Sequence, residues 1–174
     1  MRFADEALAA NRIAAQTYTG DGLSPRPVRH VAILACMDAR LDMFTSLGLI
    51  VGDCHILRNA GGRATEDALR SLTISSHVLE TREFVVIHHT DCGLQRYSNE
   101  DLYGILARDG VDARGYDFLP IPDLEESVRE DVGKIAMSPL MLPGIHVTGL
   151  IFDVHDGLLH SVCEADTLGP KGKG

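Results

Sequence analysis

A chain of 174 residues with 45% hydrophobic side chains is long enough for one domain with a substantial core, and too apolar for disorder. Its net charge of −9, with no basic stripe interleaved with aromatics, excludes nucleic acid and anionic membrane as partners. Its apolar runs are too short to span a bilayer. Its opening residues, Met1-Arg-Phe-Ala-Asp-Glu-Ala-Leu, lack the unbroken apolar stretch of a signal peptide, so a cytoplasmic protein is expected.

In chain order, residues 4–18 place Leu8, Ile13 and Ala14 at helical spacing among charges. Gly20 to Pro27 is a turn-rich break, so the helix before it is free to pack on a neighbouring subunit. His30 to Cys36 is a nearly continuous apolar strand, the pattern of a parallel sheet covered on both faces. A short helix over Leu41 to Leu47 ends at Gly48. Asp53 to Arg58 is a second strand, and Asn59-Ala-Gly-Gly62 a sharp loop. Thr65 caps a helix predicted to reach Thr81. Glu83 to His88 is the third strand. Asn99 to Asp109 and Asp123 to Met137 are helices, the latter stopped by Pro139. Gly144 to Val154 is the fourth strand. Asp156-Gly157 turns into an edge strand over Leu158 to Cys163, and residues 165–174 read as a flexible tail.

Alternating strands and helices define an α/β fold: a mostly parallel four-stranded sheet of order 2-1-3-4, flanked by helices, with an added C-terminal edge strand. No internal repeat or second domain boundary is visible, so residues 1–174 read as one domain with a helical arm and linker at 1–27. In such sheets ligands sit at the carboxyl ends of strands where the order switches direction, here between strands 1 and 3.

The chemistry-bearing residues fall at those two ends. Cys36, with Asp38 and Arg40 behind it, closes the first strand; His89 and Cys92 follow the third. Two thiolates and an imidazole suit zinc, and three protein ligands leave one tetrahedral position for water or substrate. Each cluster alone is a weak signal; both at strand ends make a strong one. Asp38 and Arg40, two residues apart on an extended segment, form a pair in which the guanidinium holds the carboxylate ionised and oriented. Asp38 either turns toward metal-bound water or competes for the open position. Arg58-Asn-Ala-Gly-Gly62 marks a turn as readily as a function: its glycines permit close backbone approach or expose N–H groups to an anion. His88 points away from His89 and is structural. Four cysteines in a cytosolic chain point to metal or catalysis before disulfides; Cys54 and Cys163 read as small buried residues.

Cys36-Met-Asp-Ala-Arg40, Arg58-Asn-Ala-Gly61 and His89-Thr-Asp-Cys-Gly93, in that order, resemble the β-class carbonic anhydrase family. The strand-helix pattern extends the resemblance from about residue 28 to 163. It implies one zinc per chain on Cys36, His89 and Cys92, with Asp38 and Arg40 as catalytic residues beside the metal-bound water. It implies hydration of carbon dioxide to bicarbonate by a metal-bound hydroxide. Asp38 would aim the hydroxide, with Gly61 and Gly93 at the substrate and a Gly93 N–H steadying the product. It also implies a homodimer or higher homo-oligomer, embraced by the N-terminal helix. Two departures stand out: Leu94 replaces the second glycine often found after the second cysteine, and the chain is short, without tryptophan. The short form resembles a branch that also holds carbon disulfide and carbonyl sulfide hydrolases, whose metal-hydroxide chemistry is the same. A non-catalytic zinc-binding regulatory protein of the same fold is the rival from another class, and the intact Asp38-Arg40 pair argues against it.

Overall fold

The computed structural model describes residues 2–170. Its elements are α1 (Phe3–Ala14), β1 (Val31–Cys36), α2 (Met43–Leu47), β2 (Cys54–Asn59), α3 (Glu66–His77), β3 (Glu83–His89), α4 (Asn99–Arg108), α5 (Leu124–Ala136), β4 (His146–Phe152) and β5 (Leu159–Asp166). The strands form one sheet of order β2-β1-β3-β4-β5. The first four are mutually parallel, and β5 runs antiparallel to β4.

Local chemistry fixes the helix starts. Thr65 accepts a hydrogen bond from the Ala68 N–H, Asp42 from Phe44 and Thr45, and Asp123 from Glu126, each satisfying an otherwise orphaned amide of the first turn. The expected helix to Thr81 stops at His77, because the chain leaves helical geometry to bring the Thr81 N–H onto the Ser75 carbonyl. β5 continues past Cys163 to Asp166, and the buried Thr167 donates its hydroxyl to the Leu142 carbonyl. The stretch read as a flexible tail therefore begins as sheet; residues 171–174 lie outside the described residues. Cys54 and Cys163 are half-buried, not buried, since each lies on an outer strand of the sheet.

Both faces of β1 are covered, as its continuous apolar run requires. Ala32 and Leu34, with Phe84 and Val86 of β3, pack under Leu69, Leu72, Val128 and Val132 of α3 and α5. Ile33, Ala35 and Ile87 face the other way, toward Leu41, Met43 and Ile121. That second face is thinly covered: Cys54, Ile56, Val85 and Leu150 remain half-buried. α1 has no buried residue at all, and its Phe3, Leu8 and Ile13 are 80, 61 and 71% exposed. No helix among the described residues is long and apolar enough to cross a membrane.

Candidate metal centre

β1 and β3 are hydrogen-bonded neighbours, and their carboxyl ends bring Cys36 and His89 together; the tight turn after β3 returns Cys92 to the same point. The ligating atoms of Cys36, His89 and Cys92 all lie within 4.8 Å of one another, and the three residues are buried. His89 Nδ1 is 2.9 Å from the Thr90 carbonyl, which orients the ring, whereas His89 Nε2 is buried with no hydrogen-bond partner in the protein. An orphaned imidazole nitrogen facing two thiols fits a divalent thiophilic cation such as zinc.

The thiols are electrostatically unequal. Cys36 is drawn down from the ordinary thiol range, first by a hydrogen bond from Cys92 and then by His89 and the Asp38 and Gly61 amides. Cys92 is pushed up, first by that same pairing and then by burial. For His89, burial favours the neutral ring, but the neighbouring Cys36 sulfur outweighs it and raises the pKa. The trio thus favours one negative sulfur and retains protons that a bound cation would displace.

Asp38 stands at the rim, its Oδ2 3.9 Å from His89 Nε2. Arg40 grips it with Nε to Oδ1 at 2.9 Å and Nη2 to Oδ2 at 2.8 Å, and the Arg40 N–H also donates to Oδ1. This bidentate grip holds Asp38 well below the usual carboxylate range. The segment is a turn, not the extended stretch expected, and the turn is what lets backbone and side chain of Arg40 reach the same carboxylate. Sequence reasoning missed Asp91: its Oδ2 accepts from Arg40 Nη1 at 3.0 Å, its carbonyl from Nη2, and its carboxylate also pairs with Arg96. It reads the motif Arg58-Asn-Ala-Gly-Gly62 through its glycines alone; Arg58 itself donates to the Cys36 and Asp38 carbonyls and so fixes the backbone between ligand and carboxylate. An acid inside the His-x-x-Cys spacing was the available signal for Asp91.

The two glycines differ. Gly61 lines the cleft, yet its N–H is engaged by the Cys36 sulfur, and a Cβ there would meet Leu94, Arg63 and Ile121. Gly62 sits at φ +70°, and a Cβ there would lie 2.9 Å from the Cys36 nitrogen, so a side chain at this position would collide with the ligand's backbone. Gly93 faces open space at the cleft. Met37, Ala39, Ala60, Leu94, Tyr97 and Leu102 complete the lining of an open cleft of 680 Å³.

The chain is similar to known proteins. The carbonic anhydrase family matches residues 31–104. The chain is 37% identical over 162 residues to beta-carbonic anhydrase 1 of Mycobacterium tuberculosis, covering 93% of this chain and 99% of that protein. The crystal structure of the carbonic anhydrase from Streptococcus mutans superposes with a TM-score of 0.90 at 46% identity, over 94% of this chain and 99% of that one. A carbon disulfide hydrolase of Acidianus is 28% identical over 150 residues, 72% of this chain and 74% of the hydrolase. With its fold, its Cys-His-Cys trio and these likenesses, the chain belongs to the β-carbonic anhydrase family and is an enzyme of that type.

Proposed function

We propose that this enzyme uses zinc, held by Cys36, His89 and Cys92, to hydrate carbon dioxide to bicarbonate. The observation that carries the reading is the buried trio with the ionised, doubly gripped Asp38 at its rim. Zinc held there would supply Lewis acidity, bringing the pKa of a water molecule toward neutrality. Asp38 cannot donate while Arg40 keeps it ionised, so it accepts a hydrogen bond from the attacking water and orients it. Arg40 fixes Asp38, and Asp91 fixes Arg40. Gly93, open at the cleft, steadies the bicarbonate oxygen through its N–H, and Gly61 forms the wall behind Cys36. The apolar side chains of the cleft suit a small linear substrate without charge.

That apolar lining also favours a second reading, hydrolysis of carbon disulfide or carbonyl sulfide on the same centre, and the likeness to a carbon disulfide hydrolase supports it. A purely regulatory zinc protein is disfavoured, since a structural site has no use for the Asp38–Arg40–Asp91 chain of hydrogen bonds. The deciding experiment measures zinc content, carbon dioxide hydration and sulfide release on one preparation. Hydration without sulfide release supports the first reading, sulfide release alone the second, and zinc without either activity the regulatory one.

We also propose a homodimer or higher homo-oligomer. A helix with one apolar stripe must bury it against something. The exposed apolar side chains of α1 and the half-covered face of the sheet are both unpartnered in the single chain. Exchange of α1 between two copies buries both.

A further inference from the structure

Beneath the metal centre lies a charged cluster that the proposed chemistry does not use. Asp131 projects from α5 between the buried Val128 and Val132 and is 3% exposed; Arg63 is 5% exposed and His88 fully buried. Asp131 Oδ1 accepts the Ala64 N–H at 3.0 Å. Its Oδ2 lies 2.8 Å from Arg63 Nε, an ion pair, and 3.1 Å from His88 Nε2, neither with an aligned hydrogen bond. His88 Nδ1 is 2.9 Å from Ser127 Oγ. Arg63 extends further, donating to the Pro120 carbonyl at 3.3 Å and to Glu130 Oε2 at 2.9 Å.

Resting on the reading of Cys36, His89 and Cys92 as zinc ligands, we propose that Asp131 and Arg63 are positioning residues that set the geometry of all three. Each ligand-bearing segment is tied to this pair. His88, beside His89, meets Asp131 directly. The loop that supports Cys36 leaves through Arg63 and Ala64, both held by Asp131; it brings Gly62 so close to the Cys36 backbone that no side chain fits between, and aims the Gly61 N–H at the Cys36 sulfur. The turn carrying Cys92 is reached through Arg63: its guanidinium holds the Pro120 carbonyl, and the neighbouring Ile121 N–H donates to the Leu94 carbonyl at 3.0 Å. Apolar replacement of a buried ion pair is often neutral or stabilising. A charged cluster below three ligand segments therefore contributes fixed orientation more than folding energy, as outer partners do at other metal sites.

The test compares zinc-loaded wild type, Asp131→Asn and Arg63→Lys. Arg63→Lys keeps a cation beside Asp131 but loses the fork that reaches Pro120. Circular dichroism establishes which variants fold, zinc release to a chelating dye gives the dissociation rate, and cobalt(II) substitution reports ligand geometry through its absorption bands. The proposal predicts folded variants that release zinc about tenfold faster or more, with shifted cobalt bands. If one variant does not fold, the other decides. Folded variants with wild-type release and spectrum would overturn the proposal while the zinc reading stands. Failure of both to fold with zinc present would also overturn it, assigning the cluster to the fold alone. A wild type that takes up no metal would sink the zinc reading and this inference with it.

Discussion

At the carboxyl ends of β1 and β3, side chains 51 residues apart share hydrogen bonds, as Arg40 and Asp91 do, and buried polar atoms crowd together. At the other extreme, α1 carries an amphipathic sequence and a helical backbone but buries none of its side chains. The first region holds its side chains through contacts within the chain. The second has its local structure without its packing. Local propensity and capping suffice to write a helix, whereas a site needs segments distant in sequence to be held against one another.

The contrast can be broken first where it is strongest. Asp38→Asn should retain zinc and lose about 10²-fold or more in carbon dioxide hydration, measured by stopped flow, because the water loses its anionic acceptor. A variant with wild-type turnover would remove Asp38 from the chemistry. Gly62→Ala should come next: its Cβ would sit 2.9 Å from the Cys36 nitrogen at φ +70°. A loss of about 1–3 kcal/mol in denaturant unfolding is expected, with weaker metal retention. Full stability and metal content would show that the loop yields where the packing says it does not.

At α1 the same experiments should find little. Removing the residues before Gly20 should leave the sheet's amide-exchange protection nearly unchanged while light scattering shows loss of assembly. An unaltered oligomer would mean that α1 is not the exchanged element. The smallest effect lies away from both regions. His146, near the foot of β4, is raised above its ordinary value of 6.5, first by its hydrogen bond to Asp166. Its stabilisation is present below pH 6.5 and lost as pH rises through the folded value. Since the pair is exposed, His146→Asn should cost less than about 1 kcal/mol at acidic pH, and nothing at alkaline pH.

The order 2-1-3-4 and the meeting of Cys36 with His89 were legible because β1 reads as a strand buried on both faces, and such strands sit centrally. The edge strand was legible from Asp156-Gly157, but its end was not: Thr167 is held by the Leu142 carbonyl and Ile145 amide, which no local pattern announces. Of the site, the ligand types and the Asp38–Arg40 pair could be read from spacing. Asp91, Arg58 and the Asp131–Arg63 pair could not, because their partners lie on other elements. Asp91 left a trace as an acid inside the His-x-x-Cys spacing, and Asp131 as a carboxylate in phase with the buried stripe of α5. His88 was placed correctly on the face opposite His89, although nothing in its spacing names Asp131 as its neighbour.

The central claim is that Cys36, His89 and Cys92 close on one metal ion. Elemental analysis of wild type, Cys36→Ala and Cys92→Ala, purified alike, tests it most directly. The account predicts about one zinc per wild-type chain, as expected for a single three-ligand centre, and little in either variant. Full zinc retention in both variants would contradict it.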